Sequence, residues 1–117
     1  MPDLTKEERE RIARAAGWKH TRQMHYPIET HPGSWWRRDV WLDHRRENDP
    51  PEVSTDELFA LADRMYPNGY RLVYGMTLND NQHRFERDVA VGYCSVSEAP
   101  TRRLALERAV LAGIDKQ

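Results

Sequence analysis

The chain reads as an α+β protein in the order helix, hairpin, helix, hairpin, helix, with an antiparallel sheet held between helices in α/β/α layers. Three observations predict it. Two Ser/Thr-x-x-Glu capping boxes, Thr5 with Glu8 and Ser54 with Glu57, each open a stretch of helix-forming residues. Two segments rich in aromatic and β-branched residues, 34–42 and 70–94, carry polar turns inside them. A third helical stretch follows Pro100.

Taken in order, the first helix runs over about 5–16, with a thin apolar stripe of Ile12, Ala13 and Ala16, and stops at Gly17. Trp18 supplies much of its anchorage. Residues 19–33 hold His20, His25, Pro27, His31, Pro32 and Gly33 without a sustained period, which predicts a loop or irregular edge. Residues 34–42 predict a short hairpin turning at Arg37, Arg38 and Asp39. The charged segment that follows ends in Asp49, Pro50 and Pro51, which cannot continue a helix or a central strand.

Leu58, Leu61, Ala62 and Met65 recur at three- and four-residue spacing, giving a helix over about 55–66 that stops at Pro67, Asn68 and Gly69. Tyr70, Leu72, Tyr74 and Met76 then alternate, and after a turn at 79–81 a second strand is expected from Phe85 to Cys94. Apolar residues on both sides of this ribbon predict a sheet covered on both faces. Ser95 or Ser97 is expected to cap the last helix, with Pro100 in its first turn. Ala105, Leu106, Ala109, Val110, Gly113 and Ile114 fill one broad side of that helix. Leu104 and Leu111 fall on the other, where either loop residues or an oligomer contact, as in a homodimer, would cover them.

A length of 117 residues suits a single domain over 1–117, because two domains of that total would each lack a self-sufficient core. Hydrophobic residues make up 38% and charged residues 32%, polar for a globular chain yet too rich in Trp, Tyr, Leu and Val for disorder. No apolar run approaches the roughly 20 residues that span a bilayer. The first eight residues turn charged at once, unlike a signal peptide, so a cytoplasmic protein is expected, with no membrane partner. Net charges over 1–17, 18–46, 47–67 and 68–117 are 0, +3, −5 and +1, so a basic stretch precedes an acidic one and no general attraction to nucleic acid follows. The single cysteine, Cys94, sits in a strand-like run and is expected to be a buried thiol.

The stretch Ser97, Glu98, Ala99, Pro100, Thr101, Arg102, Arg103, Leu104, Ala105, Leu106, Glu107, Arg108, Ala109 resembles the closing segment of the phage ABA sandwich domain, a family of small phage and prophage proteins. The opening helix closing on Ala16, Gly17 and Trp18, the aromatic hairpin around Trp35 and Trp36, the capped middle helix and the second hairpin follow in the same order, so the resemblance covers most of the chain. It implies a fold and a phage origin, and no catalytic residues.

No catalytic constellation emerges. Ser34, Ser54, Ser95 and Ser97 lie in turn or cap contexts, and the paired carboxylates Glu7, Glu8 and Asp56, Glu57 fall in first helical turns, where the macrodipole favours them. The histidines His20, His25, His31, His44 and His83 lack metal-ligand spacing, and the six glycines are isolated, so neither a metal nor a phosphate-binding cofactor is expected. The most informative cluster is Trp35, Trp36, Arg37, Arg38, Trp41, His44, Arg45 and Arg46. Adjacent strand residues point to opposite faces, so one of Trp35 and Trp36 should meet water or a partner. Trp and Arg dominate binding hot spots. The expectation is a non-enzymatic phage accessory protein in the host cytoplasm that binds a bacterial host protein, such as a defence factor, through Trp35, Trp36, Arg37, Arg38, Trp41, Arg45 and Arg46. The alternative is a nucleic-acid or nucleotide binder using the same ribbon, with arginines on phosphates and an indole stacked on a base.

Overall fold

A computed structural model describes residues 4–21, 34–37, 40–42, 50–77 and 80–116. Among them are three helices and two antiparallel sheets of three strands each, so the protein is α+β, with two sheets where one was expected. The chain divides into two units, residues 5–53 and Met1–Leu4 with Ser54–Gln117. No helix among the described residues is long and apolar enough to cross a membrane.

In the first unit, α1 spans Lys6–Ala15 and its capping box forms as the sequence predicts: Glu8 N–H donates to Thr5 Oγ1 at 3.2 Å and Thr5 N–H donates to Glu8 Oε1 at 2.9 Å. Gly17, at φ +95°, stops it, and Trp18 N–H turns back to the Ala13 carbonyl at 3.0 Å. Three short strands follow, β1 (Lys19–Thr21), β2 (Ser34–Arg37) and β3 (Val40–Leu42), in the order β1-β2-β3. The β2–β3 hairpin is the one the sequence predicts. β1 is not, since residues 19–21 were expected to be irregular. Its pairing of Lys19 with Trp36 and His20 with Trp35 shows why. A strand this short and polar has no alternation of its own and is specified by the ladder it joins. Ile12, Ala13, Trp18, Trp35 and Val53 are buried in this unit.

In the second unit, α2 (Thr55–Met65) starts at Ser54, whose side chain accepts from Glu57 N–H at 3.2 Å. A meander follows, β4 (Tyr70–Thr77), β5 (Asp80–Asp88) and β6 (Tyr93–Ala99), in the order β4-β5-β6, and α3 (Arg102–Asp115) closes the chain. The two helices pack closely. A Cβ on Gly113 would lie 2.6 Å from Met65 Sδ, and Tyr66 O–H donates to the Ala109 carbonyl at 2.7 Å. Both helices lie on the sheet face that carries Leu72, Phe85, Ser97 and Ala99, where Tyr66 meets the Phe85 ring and Ser97 O–H donates to the Ala105 carbonyl at 2.6 Å. The opposite face carries Arg71, Val73, Arg84, Glu86 and Tyr93.

Two expectations are corrected here. The run from Phe85 to Cys94 is two strands joined by a turn, because the chain reverses at 89–92. Thr101 caps α3, its Oγ1 accepting from Leu104 N–H at 3.1 Å, whereas Ser95 and Ser97 belong to β6 and Pro100 precedes the cap. Leu104 and Leu111, for which either loop residues or an oligomer contact was expected as cover, are buried at 7% and 6% exposure. Leu104 packs with Ala99, Ala105, Leu4 and Leu72. α3 is apolar on both sides because both sides are covered, so those leucines offer no open stripe to a second chain.

Candidate functional site

Among the described residues of the Trp/Arg ribbon, Trp35 and Arg37 contact neighbours in their own unit. Trp35 is 1% exposed, with the His20 ring stacked on it at 4.7 Å and the Arg14 guanidinium 5.5 Å from its centroid. Trp18 is buried beneath Arg37, whose Cζ lies 4.6 Å from the ring and whose Nη1 donates to the Ala16 carbonyl at 3.1 Å. Arg37 therefore serves the C-terminal end of α1, where backbone carbonyls lack helical donors and positive charge is favoured. Trp35, expected to face a partner, is thus covered, and Arg37, expected beside it, is half-buried. Trp36, on the other side of β2, is half-buried with Lys19 Nζ 4.8 Å from its ring. Trp41 pairs with Trp36 on β3, its side chain outside the description, and Arg38, Arg45 and Arg46 lie outside the described residues.

The apolar surface lies elsewhere. Among the described residues the exposed large hydrophobic side chains are Tyr74, Val89, Val91 and Tyr93, all on the β4-β5-β6 meander. Two of them, Val89 and Val91, belong to the β5–β6 connection, Tyr93 begins β6, and Val91 is 95% exposed. This tip is internally tied. Asp88 N–H donates to the Gly69 carbonyl at 2.9 Å, Asp88 Oδ1 accepts from Ala90 N–H at 2.8 Å, and Val89 N–H donates to the Gly92 carbonyl at 3.1 Å. Ala90 adopts φ +72° and Gly92 φ +137°. A left-handed alanine costs about 1–2 kcal/mol, so the surrounding hydrogen bonds hold a conformation the residue would otherwise leave. On the strand behind, the Arg71 guanidinium lies 3.8 Å from the Tyr93 ring centroid and its Nε sits 2.8 Å from Glu86 Oε1.

Beside the tip, the turn after α2 and the end of β5 enclose a cleft of about 560 Å³ whose lining includes Met65, Tyr66, Pro67, Gly69, Arg87 and Val89. Burial raises the Tyr66 phenol above its ordinary value, against the opposing pull of the Arg87 charge. Tyr70, stacked on Phe85 at 4.7 Å, donates its O–H to Asp63 Oδ1 at 2.7 Å. Its pKa is pushed up to about 12, first by burial, then by that hydrogen bond and the Asp63 charge. A phenol whose folded value lies above its unfolded 10.0 contributes stability in full below that pH and loses it as pH rises through about 12. Spectroscopic titration of phenolate is expected to show a transition near pH 12 that is lost in Tyr70→Phe. Titration of Tyr70 at the ordinary phenol value would disprove the assignment.

Among the described residues no group of three His, Cys, Asp or Glu is placed to hold a metal ion. His83 lies 4.7 Å from the Tyr74 ring, and Ser54 and Ser97 are engaged in the helix cap and the α3 contact already described. Cys94, expected buried, is exposed. The reason is the misplaced turn: residue 94 is the second residue of the edge strand β6 instead of the end of a continuous central strand. The tip itself had a signal in the sequence. Asp88 followed by two valines and Gly92 combines turn-forming residues with apolar ones, but the alternating pattern of 85–94 masked it. No protein-family model, curated protein or solved structure matches the chain.

Proposed function

We propose that this protein is a non-enzymatic phage accessory protein that acts in the host cytoplasm by binding a bacterial host protein, with the β5–β6 tip as its contact surface. One observation carries the reading: the exposed large hydrophobic side chains of the described residues gather on one meander, Val89 and Val91 on a turn held in shape by its own hydrogen bonds and Tyr93 directly after it. A valine left in water on a pre-shaped turn loses little further entropy on docking and gains by burial. The phage origin, the bacterial partner and the α/β/α layering rest on the resemblance of the segment from Ser97 to Ala109 to the phage ABA sandwich domain.

Immobilised wild-type chain and Val91→Asp are to be exposed to a bacterial lysate and the retained species quantified. A protein held by the wild type is expected to fall by roughly thirtyfold in affinity with Val91→Asp, the size of a hot-spot loss. The variant's unfolding midpoint should stay unchanged, because Val91 makes no core contact. Equal retention on both chains would end the reading. Retention of nucleic acid that falls steeply between about 50 and 200 mM salt would favour the alternative, a nucleic-acid binder.

A further inference from the structure

We infer that the cleft beside the tip takes a carboxylate from the partner, an aspartate or glutamate side chain with an apolar neighbour in the same segment. The inference rests on the protein-binding reading and names the chemistry of what is bound.

Arg87 is the basis. It is half-buried in the cleft, and among the described residues it has no acidic group within ion-pair distance and no hydrogen-bond acceptor. Its neighbours across the sheet are Tyr70 on β4 and Cys94 on β6, neither of them an acceptor of matching charge. The adjacent Asp88 also lines the cleft, but its Oδ1 is engaged by Ala90 N–H at 2.8 Å. Arg71, by comparison, already has Glu86 at 2.8 Å. A guanidinium with no ion-pair partner among the described residues keeps its planar fork of donors available to a carboxylate. A carboxylate meets that fork with two parallel hydrogen bonds, stronger than a fully solvated surface pair makes.

The surroundings select among anions. Arg87 is the sole cation lining the cleft and Asp88 the sole acidic residue, beside the apolar Met65, Pro67, Val89 and Ala90. A phosphodiester strand needs a succession of cations along its path, so a singly charged group with apolar companions fits better. The C-terminal end of α2 also faces this region through Met65 and Tyr66. Its partial negative charge works against any anion, most of all a doubly charged one, although that effect fades within a turn. Val91, adjoining the cleft and 95% exposed, supplies the apolar contact for the neighbouring residue of the bound segment.

The test is an NMR titration of the full chain with two capped pentapeptides, acetyl-Gly-Leu-Glu-Leu-Gly-amide and its Gln counterpart. Backbone shifts are expected at Gly69, Arg87, Val89 and Ala90, with the Glu peptide bound roughly tenfold more tightly than the Gln peptide. In Arg87→Gln that preference should vanish, and in Val91→Asp both peptides should weaken. Equal affinities for the two peptides on the wild type, no shift with either, or shifts confined to another surface overturn the carboxylate site. The wild-type comparison stands even if a variant fails to fold. The lysate capture uses neither peptide, so its outcome and this one fail separately.

Discussion

Phe85→Ala is expected to destabilise the protein by about 3–5 kcal/mol, the range for removing a buried aromatic from a core. Phe85 is 0% exposed at the middle of β5, the central strand of its sheet, with Leu72 opposite on β4 and Ser97 opposite on β6. Its ring stacks on Tyr70 at 4.7 Å and meets Tyr66 at 5.0 Å. Removing it opens a cavity between sheet and helices and takes away the aromatic contacts of both tyrosines. Against a total stability of about 5–15 kcal/mol, this loss moves many domains to the edge of folding. Urea denaturation gives the measurement, with Phe85→Leu expected to lose well under half as much. A loss below about 1 kcal/mol for Phe85→Ala would mean that the ring is not where the packing puts it.

Trp35→Ala is expected to cost a similar ~3–5 kcal/mol. The residue is 1% exposed, its ring is covered by His20 at 4.7 Å, and Arg14 lies above it at 5.5 Å. The substitution should therefore lower the thermal unfolding midpoint sharply. Trp36→Ala, removing a half-buried ring, should lower it less. The pair also decides what the ribbon is for. A Trp35→Ala chain that unfolds at the wild-type temperature yet no longer retains its partner would return the ribbon to the role the sequence suggests and remove the β5–β6 tip from it.

Much of the fold was legible in local chemistry. Both capping boxes form where Thr5 and Ser54 place them, because each satisfies donors within its own first turn and needs nothing from afar. Gly17 and Gly69 take the left-handed conformations their positions after helices suggest, at φ +95° and +108°. The turn at 89–92 was not legible. Val89 and Val91 have strand propensity, and their alternation masks the turn-forming Asp88 and Gly92 on either side. Moving that turn also moved Cys94 from the interior to an exposed edge strand.

The amino-acid sequence alone determined the helix starts and stops, the α+β class and the richness of the 34–42 ribbon in Trp and Arg, since these depend on residues adjacent in the chain. Only tertiary structure decided which apolar side chains face water. Trp35 and Leu104 are covered, while Val91 is left 95% exposed. The physical reason is that burial is settled by neighbours brought from distant positions, and hydrophobicity in the sequence records what a side chain would gain from cover without saying whether any arrives.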